Sequence, residues 1–233
     1  MCFSASVSYS AAVVLLTTGV YAVRQARRLQ RTYLMWALVP VLFGLQQAFE
    51  GRVWQELEAG NAGAAVSFAL GFHFFSHFLW LWWFPLCSYL VEPGRIRKRI
   101  MGGIAIFGAF TGTLVYTVML IHPEWMSVAV RDYSVLYEFT VPIRSSIHVP
   151  FIPVMLYGLI ILVPLLISSH RLIMIFGGLV AVSVVSASVA YNAVFVSVWC
   201  FFAAVLSLYL VYMVRHLVAA RNEMRTEPKL FKE

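Results

Sequence analysis

Seven long apolar stretches divide the charged residues of this chain into two sets, and nearly all of the basic ones fall in a single set. Arg24, Arg27, Arg28 and Arg31 follow the first stretch, and Arg95, Arg97, Lys98 and Arg99 follow the third. Arg171 follows the fifth, and Arg215, Arg221, Arg225, Lys229 and Lys232 follow the seventh. Only Arg52, Arg131 and Arg144 lie opposite. Because Lys and Arg concentrate in cytoplasmic loops, this asymmetry orients the chain with its N-terminus outside and its C-terminus cytoplasmic. The pattern predicts an all-α membrane protein with seven transmembrane helices.

Composition agrees, since 61% hydrophobic and 12% charged residues, with a mean hydropathy of +0.83, fit a polytopic membrane protein rather than a soluble domain. The net charge of +7 is then a consequence of topology, and gives no sign of a nucleic-acid partner. The expected partner is the lipid bilayer. Met1 to Ser10 carries no charged side chain and the arginines come after the first apolar run, so the first span is expected to be a retained anchor.

The expected spans are residues 6–24, 33–54, 63–91, 101–121, 151–168, 171–190 and 193–214, most of them near the ~20 residues that cross the hydrocarbon core. Residues 1–216 form one seven-helix domain on this reading, and 217–233 a basic tail held near anionic lipid. Gly102, Gly103, Gly108, Gly112, Gly177 and Gly178 offer small surfaces where helices can approach closely. Pro85 is expected to bend the end of the third span. The one sizeable element outside the spans runs from Pro123 to Pro150. There Met126, Val128 and Val130, then Val135, Tyr137, Phe139 and Val141, alternate with other residues, predicting a short β-hairpin between helices 4 and 5 that turns near Asp132 and Ser134. Such a hairpin could cover the outer mouth of the bundle or simply shield helix ends.

Polar groups inside spans are costly and usually face a cavity or the bundle interior. In span two, Gln46, Gln47 and Glu50 share one helical side, Glu50 being four and three residues from the glutamines. Counted from the expected helix end, Glu50 lies about one turn inside. Two states are open to it: a carboxylate paired by Arg52, water or a cation, or a protonated donor. The stripe could equally serve only to tie helices together. In span three, His73 and His77 fall on one helical face, with Ser76 beside them and Trp80 one turn on. Such a pair can share a transition metal, with Glu50 as a third ligand, or supply a haem ligand. A pair of core histidines satisfied by hydrogen bonds is the plainer alternative. The zincin pattern is absent, since Phe74 stands where it requires Glu. The aromatic run Phe78 to Phe84 is expected to pack at the lipid interface.

Cys2, Cys87 and Cys200 form no CxxC motif. If Met1 is removed, Cys2 presents an amine and a thiol together, able to chelate metal or act as a nucleophile. His122 and His148 are expected at the outer surface, and His170 and His216 at the inner one. Ser183, Ser186, Ser188 and the Tyr191–Asn192 turn could line a pore or merely pack helices. All three lysines are cytoplasmic on this topology, which excludes a retinal Schiff base in the bundle. No phosphate-binding glycine loop, nucleotide fingerprint or GxSxG elbow occurs.

The opening Met1-Cys2-Phe3-Ser4-Ala5, the basic turn Arg24 to Arg31, and Gln46-Gln47-Ala48-Phe49-Glu50-Gly51 with Trp54 resemble a family of uncharacterised bacterial seven-span membrane proteins. The resemblance covers nearly the whole chain. It implies a place in the bacterial inner membrane and matches family motifs at Cys2, Gln46, Gln47, Glu50 and Trp54, while implying no activity and no role for His73 or His77. Three functions follow as expectations. The first is binding or transport of a small polar solute or cation at Glu50, Gln46, Gln47, Cys2 and Trp54, gated by the Pro123–Pro150 segment. The second is an enzyme using a transition metal or haem at His73 and His77, or Cys2 as nucleophile. The third is a seven-helix sensor.

Overall fold

The computed structural model describes residues 4–131, 133–140, 151–190 and 195–226. Nine helices occur among them: α1 Ala5–Ala26, α2 Thr32–Glu58, α3 Ala62–His73, α4 Trp80–Val91, α5 Arg95–Ile121, α6 Phe151–Leu166, α7 Arg171–Ala190, α8 Phe195–Leu206 and α9 Leu208–Thr226. A six-residue π-helical segment, Phe74–Leu79, joins α3 to α4 in one continuous rod. Six helices or rods are long and apolar enough to cross a membrane: α1, α2, Ala62–Val91, α5, α7 and Phe195–Met224. A shorter apolar stretch, Met155–Leu166, lies in α6. This is a multi-pass helical membrane protein.

Local chemistry sets the helix ends. Ser4 caps α1, its hydroxyl accepting from the Val7 amide, and α2 ends just before Gly60, whose φ of 74° reverses the chain. Helix α2 outruns its expected end at residue 54 by a full turn, and α5 begins within the basic run at Arg95. The last rod breaks at Ser207, then continues to Thr226, where Arg221 donates to the Arg28 carbonyl at the α1–α2 turn.

Helix α2 is the hub, packing against α1, α3, α4, α8 and α9. Two indoles bind it to α4 across the core: Trp36 Nε1 donates to the Cys87 carbonyl at 3.2 Å and Trp83 Nε1 to the Met35 carbonyl at 3.3 Å. Close approach of α5 needs Gly108 and Gly112. A Cβ at Gly108 would fall on the Leu81 carbonyl oxygen, and one at Gly112 would lie 3.1 Å from the Phe78 oxygen. Gly112 lets α5 lie on the backbone of the π segment, and Gly108 on that of the first turn of α4. Gly103 and Gly178, by contrast, face open space.

The hairpin forms as expected. Strands β1 (Met126–Arg131) and β2 (Ser134–Phe139) pair antiparallel, with Val128 opposite Tyr137 and Arg131 opposite Ser134. Tyr133 takes a left-handed φ of 55° in the turn, while Asp132 and Val141 lie outside the described residues. Strand β1 packs on α3 and β2 on α8. Met126 and Val135 bury with Val53, Trp54, Ala69 and Met119 beneath the hairpin.

At the opposite end, Glu92 clasps two turns. Its carboxylate accepts from the Gly94 amide (3.1 Å), the Ser169 amide (2.8 Å) and the Ser169 hydroxyl (2.6 Å). Arg97 Nη1 in turn donates to Ser169 Oγ at 2.8 Å, and His170 Nε2 donates to the Val91 carbonyl at 2.7 Å. Burial alone would raise the Glu92 pKa, but the Ser169 and Gly94 hydrogen bonds and the Arg97 charge outweigh it and hold the group below its usual 4.5. The folded-state value is thus the lower one, so the clasp contributes its full stability above pH 4.5 and loses it as the pH falls through the folded-state pKa. Glu92→Ala is expected to cost about 2 kcal/mol, within the range for hydrogen bonds to a charged group. In detergent melts at pH 7 this is read as a lowered Tm. The gap between wild type and variant should shrink once the pH drops well below 4.5.

Candidate functional site

The polar stripe of α2 lies at the centre of the bundle. Gln46, Gln47 and Glu50 are each fully buried. Because α2 runs to Glu58, Glu50 is about two turns from the helix end rather than one, about 12 Å deep at 1.5 Å per residue. Ser197 Oγ of α8 donates to Glu50 Oε1 at 2.6 Å, and Gln47 Nε2 donates to Glu50 Oε2 at 3.2 Å. Trp80 Nε1 of α4 donates to Gln46 Oε1 at 2.8 Å. The Cys200 thiol lies close enough to Gln46 and Glu50 for both to act on it, while Gln46 Nε2 finds no acceptor among the described residues.

Arg52, expected as a possible counter-ion, instead bonds Glu56 Oε1 at 2.6 Å and Gln55 at the protein surface. Trp54 belongs to the apolar cluster under the hairpin, its Nε1 without a partner among the described residues. Cys2, His148 and the Tyr191–Asn192 turn lie outside the described residues. Trp80 departs from the expectation of interface packing. It is 2% exposed and stacks on Phe43 at 4.2 Å and on Phe84 at 5.2 Å, so its indole joins the polar centre rather than the lipid boundary.

The histidines form a second polar group at the π segment. His73 Nδ1 and His77 Nδ1 lie 3.0 Å apart. Ser76 Oγ lies 3.2 Å from the first and 2.9 Å from the second. Tyr137 of β2 stands edge-on to His73, with ring centroids 4.7 Å apart, and stacks on Phe72 at 5.1 Å. The hairpin therefore roofs this group as well as the helix ends. No cluster of three His, Cys, Asp or Glu suited to a metal occurs among the described residues, so Glu50 does not complete a site with the histidines. A haem held between the two rings does not fit either, since trans axial nitrogens stand about 4 Å apart, at roughly 2 Å from the metal on each side.

Beside the histidines opens a cavity of about 370 Å³. Its walls come from the π segment and α4, α5, α6 and α8, and its polar groups are Ser76, His77, Thr111, Tyr157, Trp199 and Cys200. Tyr157 stands edge-on to Trp199 at 5.1 Å and 6.4 Å from the His77 ring. The remaining lining is aliphatic and aromatic. Cys200 and Tyr157 also border a space of about 20 Å³ against Trp80 and Phe43, so Cys200 connects the cavity with the Gln46–Glu50 centre. A groove of similar volume to the large cavity runs between α1 and the α8–α9 rod. Neither of these two larger spaces is lined by Glu50.

A family match spans residues 1–225, from the first helix to the end of the last. The chain belongs to a family of unknown function, DUF6629. No curated protein and no solved structure matches it. Membership in DUF6629 agrees with the expectation of an uncharacterised family and carries no activity, so the chemistry rests on the geometry above.

Ser197, Tyr137, Tyr157 and Cys200 had no signal as site residues in the sequence. Ser197 meets Glu50 across 147 residues, and a lone serine in an apolar span resembles any small packing residue. Ser197→Ala leaves the buried carboxylate short of one donor, which is expected to cost about 1–3 kcal/mol and to lower the melting temperature in detergent. A Tm equal to that of the wild type would mean that Glu50 does not depend on this bond.

Proposed function

We propose that this protein is an intramembrane binding protein for a small, mostly apolar molecule with one hydrogen-bonding head group. The observation that carries this reading is the cavity of about 370 Å³, within the range of small-molecule sites, apolar over most of its wall and polar where His77, Ser76 and Tyr157 converge. An apolar guest already dissolved in the bilayer reaches such a site without crossing water. Its head is then offered an imidazole, a serine hydroxyl and a phenol.

In this proposal the basic turns face the cytoplasm by the positive-inside rule, and the hairpin faces outward. Helix α6, fifth in chain order, brings the crossings to seven in a single domain, residues 1–216, with residues 217–233 as a cytoplasmic tail in the bacterial inner membrane. Supporting the crossing, α5 and α7 both begin at the end clasped by Glu92, so the chain must return between them. At 16 residues, or about 24 Å, α6 is short for a core of ~30 Å, and the hydrocarbon thins locally or the connecting residues complete the crossing.

Bromodecanol in nanodiscs tests the cavity. The part of its fluorescence quenching due to Trp199, taken as the difference between wild type and Trp199→Phe, should saturate, and Val115→Phe at the wall should abolish that saturable part. Linear quenching that is indifferent to Val115→Phe would remove the reading.

A second reading, a small polar solute or cation held at Glu50, is favoured by the full burial of this carboxyl group at the bundle centre, since a buried carboxylate calls for a compensating positive charge. It requires α2 and α8 to part at the Ser197 bond. Rubidium uptake into proteoliposomes, lost in a folded Glu50→Gln variant, is its expected sign; equal flux in wild type and variant would count against it.

A further inference from the structure

Arg221 belongs to the stretch expected as a basic tail, yet it lies on α9 and is built against the end of α1. It stands 193 residues from Arg28 in the chain, and its guanidinium donates to the Arg28 carbonyl in the α1–α2 turn. Apolar contact holds the two segments together beneath that bond. Ala22 and Ala26 of α1, Ala37 of α2 and Val214 of α9 bury as one cluster, and Val218, also buried, continues the same side of α9 toward Arg221.

The charge gathered there is one-sided. Residues 24–31 and 215–226 carry seven arginines against a single carboxylate, Glu223. Arg24, Arg27, Arg28, Arg31, Arg215 and Arg221 are all exposed. The ion pairs among the described residues are Arg52–Glu56 and His122–Glu124, and neither involves these arginines. An anion relieves such crowding, and a guanidinium offers a phosphate two parallel N–H donors.

Depth decides which anion. Tyr21 and Tyr212 are 42% and 55% exposed and lie toward the same end of two membrane-length helices, where amphipathic rings settle at the membrane–water interface. Arg24 and Arg215 each follow three residues later, about 4.5 Å further along the helix axis, within the headgroup layer. Arg28 and Arg221 stand just beyond, within reach of that layer for a side chain as long as arginine. We propose that the α1–α2 turn and α9 together bind the headgroup phosphate of one anionic phospholipid, with Arg28 and Arg221 as its principal donors and Arg24 beside them.

The basic run that opens α5 lies at the same end of the bundle but is differently employed. Arg97 donates to Ser169 in the Glu92 clasp, and the Lys98 ammonium sits over the Tyr89 ring at 4.9 Å. That run comes from one segment, whereas the site at α9 draws on two segments that the fold brings together. The site is independent of the cavity and of any guest there.

The test uses full-length protein freed of lipid in a neutral detergent and titrated with phosphatidylglycerol, the bound lipids being counted by native mass spectrometry. The expected result is one phosphatidylglycerol that binds more tightly than phosphatidylcholine and raises Tm. Arg28→Gln keeps the backbone carbonyl that Arg221 uses, and it and Arg221→Gln should each weaken that site about fivefold, the effect of one arginine near an anionic lipid surface. Arg95→Gln should leave the site unchanged. Equal affinity for the two lipids would overturn the proposal, as would an Arg95→Gln effect as large as that of Arg28→Gln. A Tm rise with inorganic phosphate equal to that with phosphatidylglycerol would count against a lipid and for a free anion. Should Arg221→Gln fail to fold, Arg28→Gln decides alone.

Discussion

Helix α2 carries three fully buried polar side chains into the middle of an apolar bundle, and the need to satisfy them determines which helices stand beside it. Gln46 requires a donor and takes the Trp80 indole from α4; Glu50 requires donors and takes the Ser197 hydroxyl from α8. In hydrocarbon the alternative to each bond is a stranded polar group. The two bonds therefore favour one arrangement of α4 and α8 around α2 over others that would bury similar apolar area. Apolar contact between helices in lipid supplies little such selectivity, because lipid tails are as apolar as the side chains they replace.

The second polar group depends on the same arrangement at one remove. With α4 held by Trp80, the π segment just before it is held too, and α5 lies against the backbone of both because Gly108, over Leu81, and Gly112, over Phe78, present no side chain there. π-Helical turns are often found at functional sites. Here the segment contains Ser76 and His77 and begins directly after His73, and the cavity opens where α5, α6 and α8 diverge from it. The hairpin adds Tyr137 from above. Cys200, which faces both the cavity and the Gln46–Glu50 centre, gives the two polar groups a shared wall.

How much of this was legible in the sequence varies by residue. The α2 stripe was legible because 3.6-residue periodicity places Gln46, Gln47 and Glu50 on one side wherever the helix points. The hairpin was legible because its apolar residues alternate. The depth of Glu50 was misjudged because Gln55, Glu56 and Glu58 look like a loop, whereas the helix continues through them. Trp80 was misread for a different reason. An indole amid Phe78 to Phe84 has the composition of a lipid interface, and nothing local shows that a buried amide 34 residues earlier needs its N–H.

The sequence by itself determined that this chain is built of membrane-length apolar helices, where their apolar middles lie though not where they end, and which side chains are too polar to face lipid. Those properties follow from apolar length, charge and periodicity, which are local. Only the tertiary structure decided how the polar side chains are partnered: Ser197 to Glu50, Trp80 to Gln46, Tyr137 to His73, and the closed triangle of His73, Ser76 and His77. Each partnership depends on the relative rotation and depth of separate helices or on a π turn within one. A single apolar span is compatible with many rotations and depths until the others are packed around it.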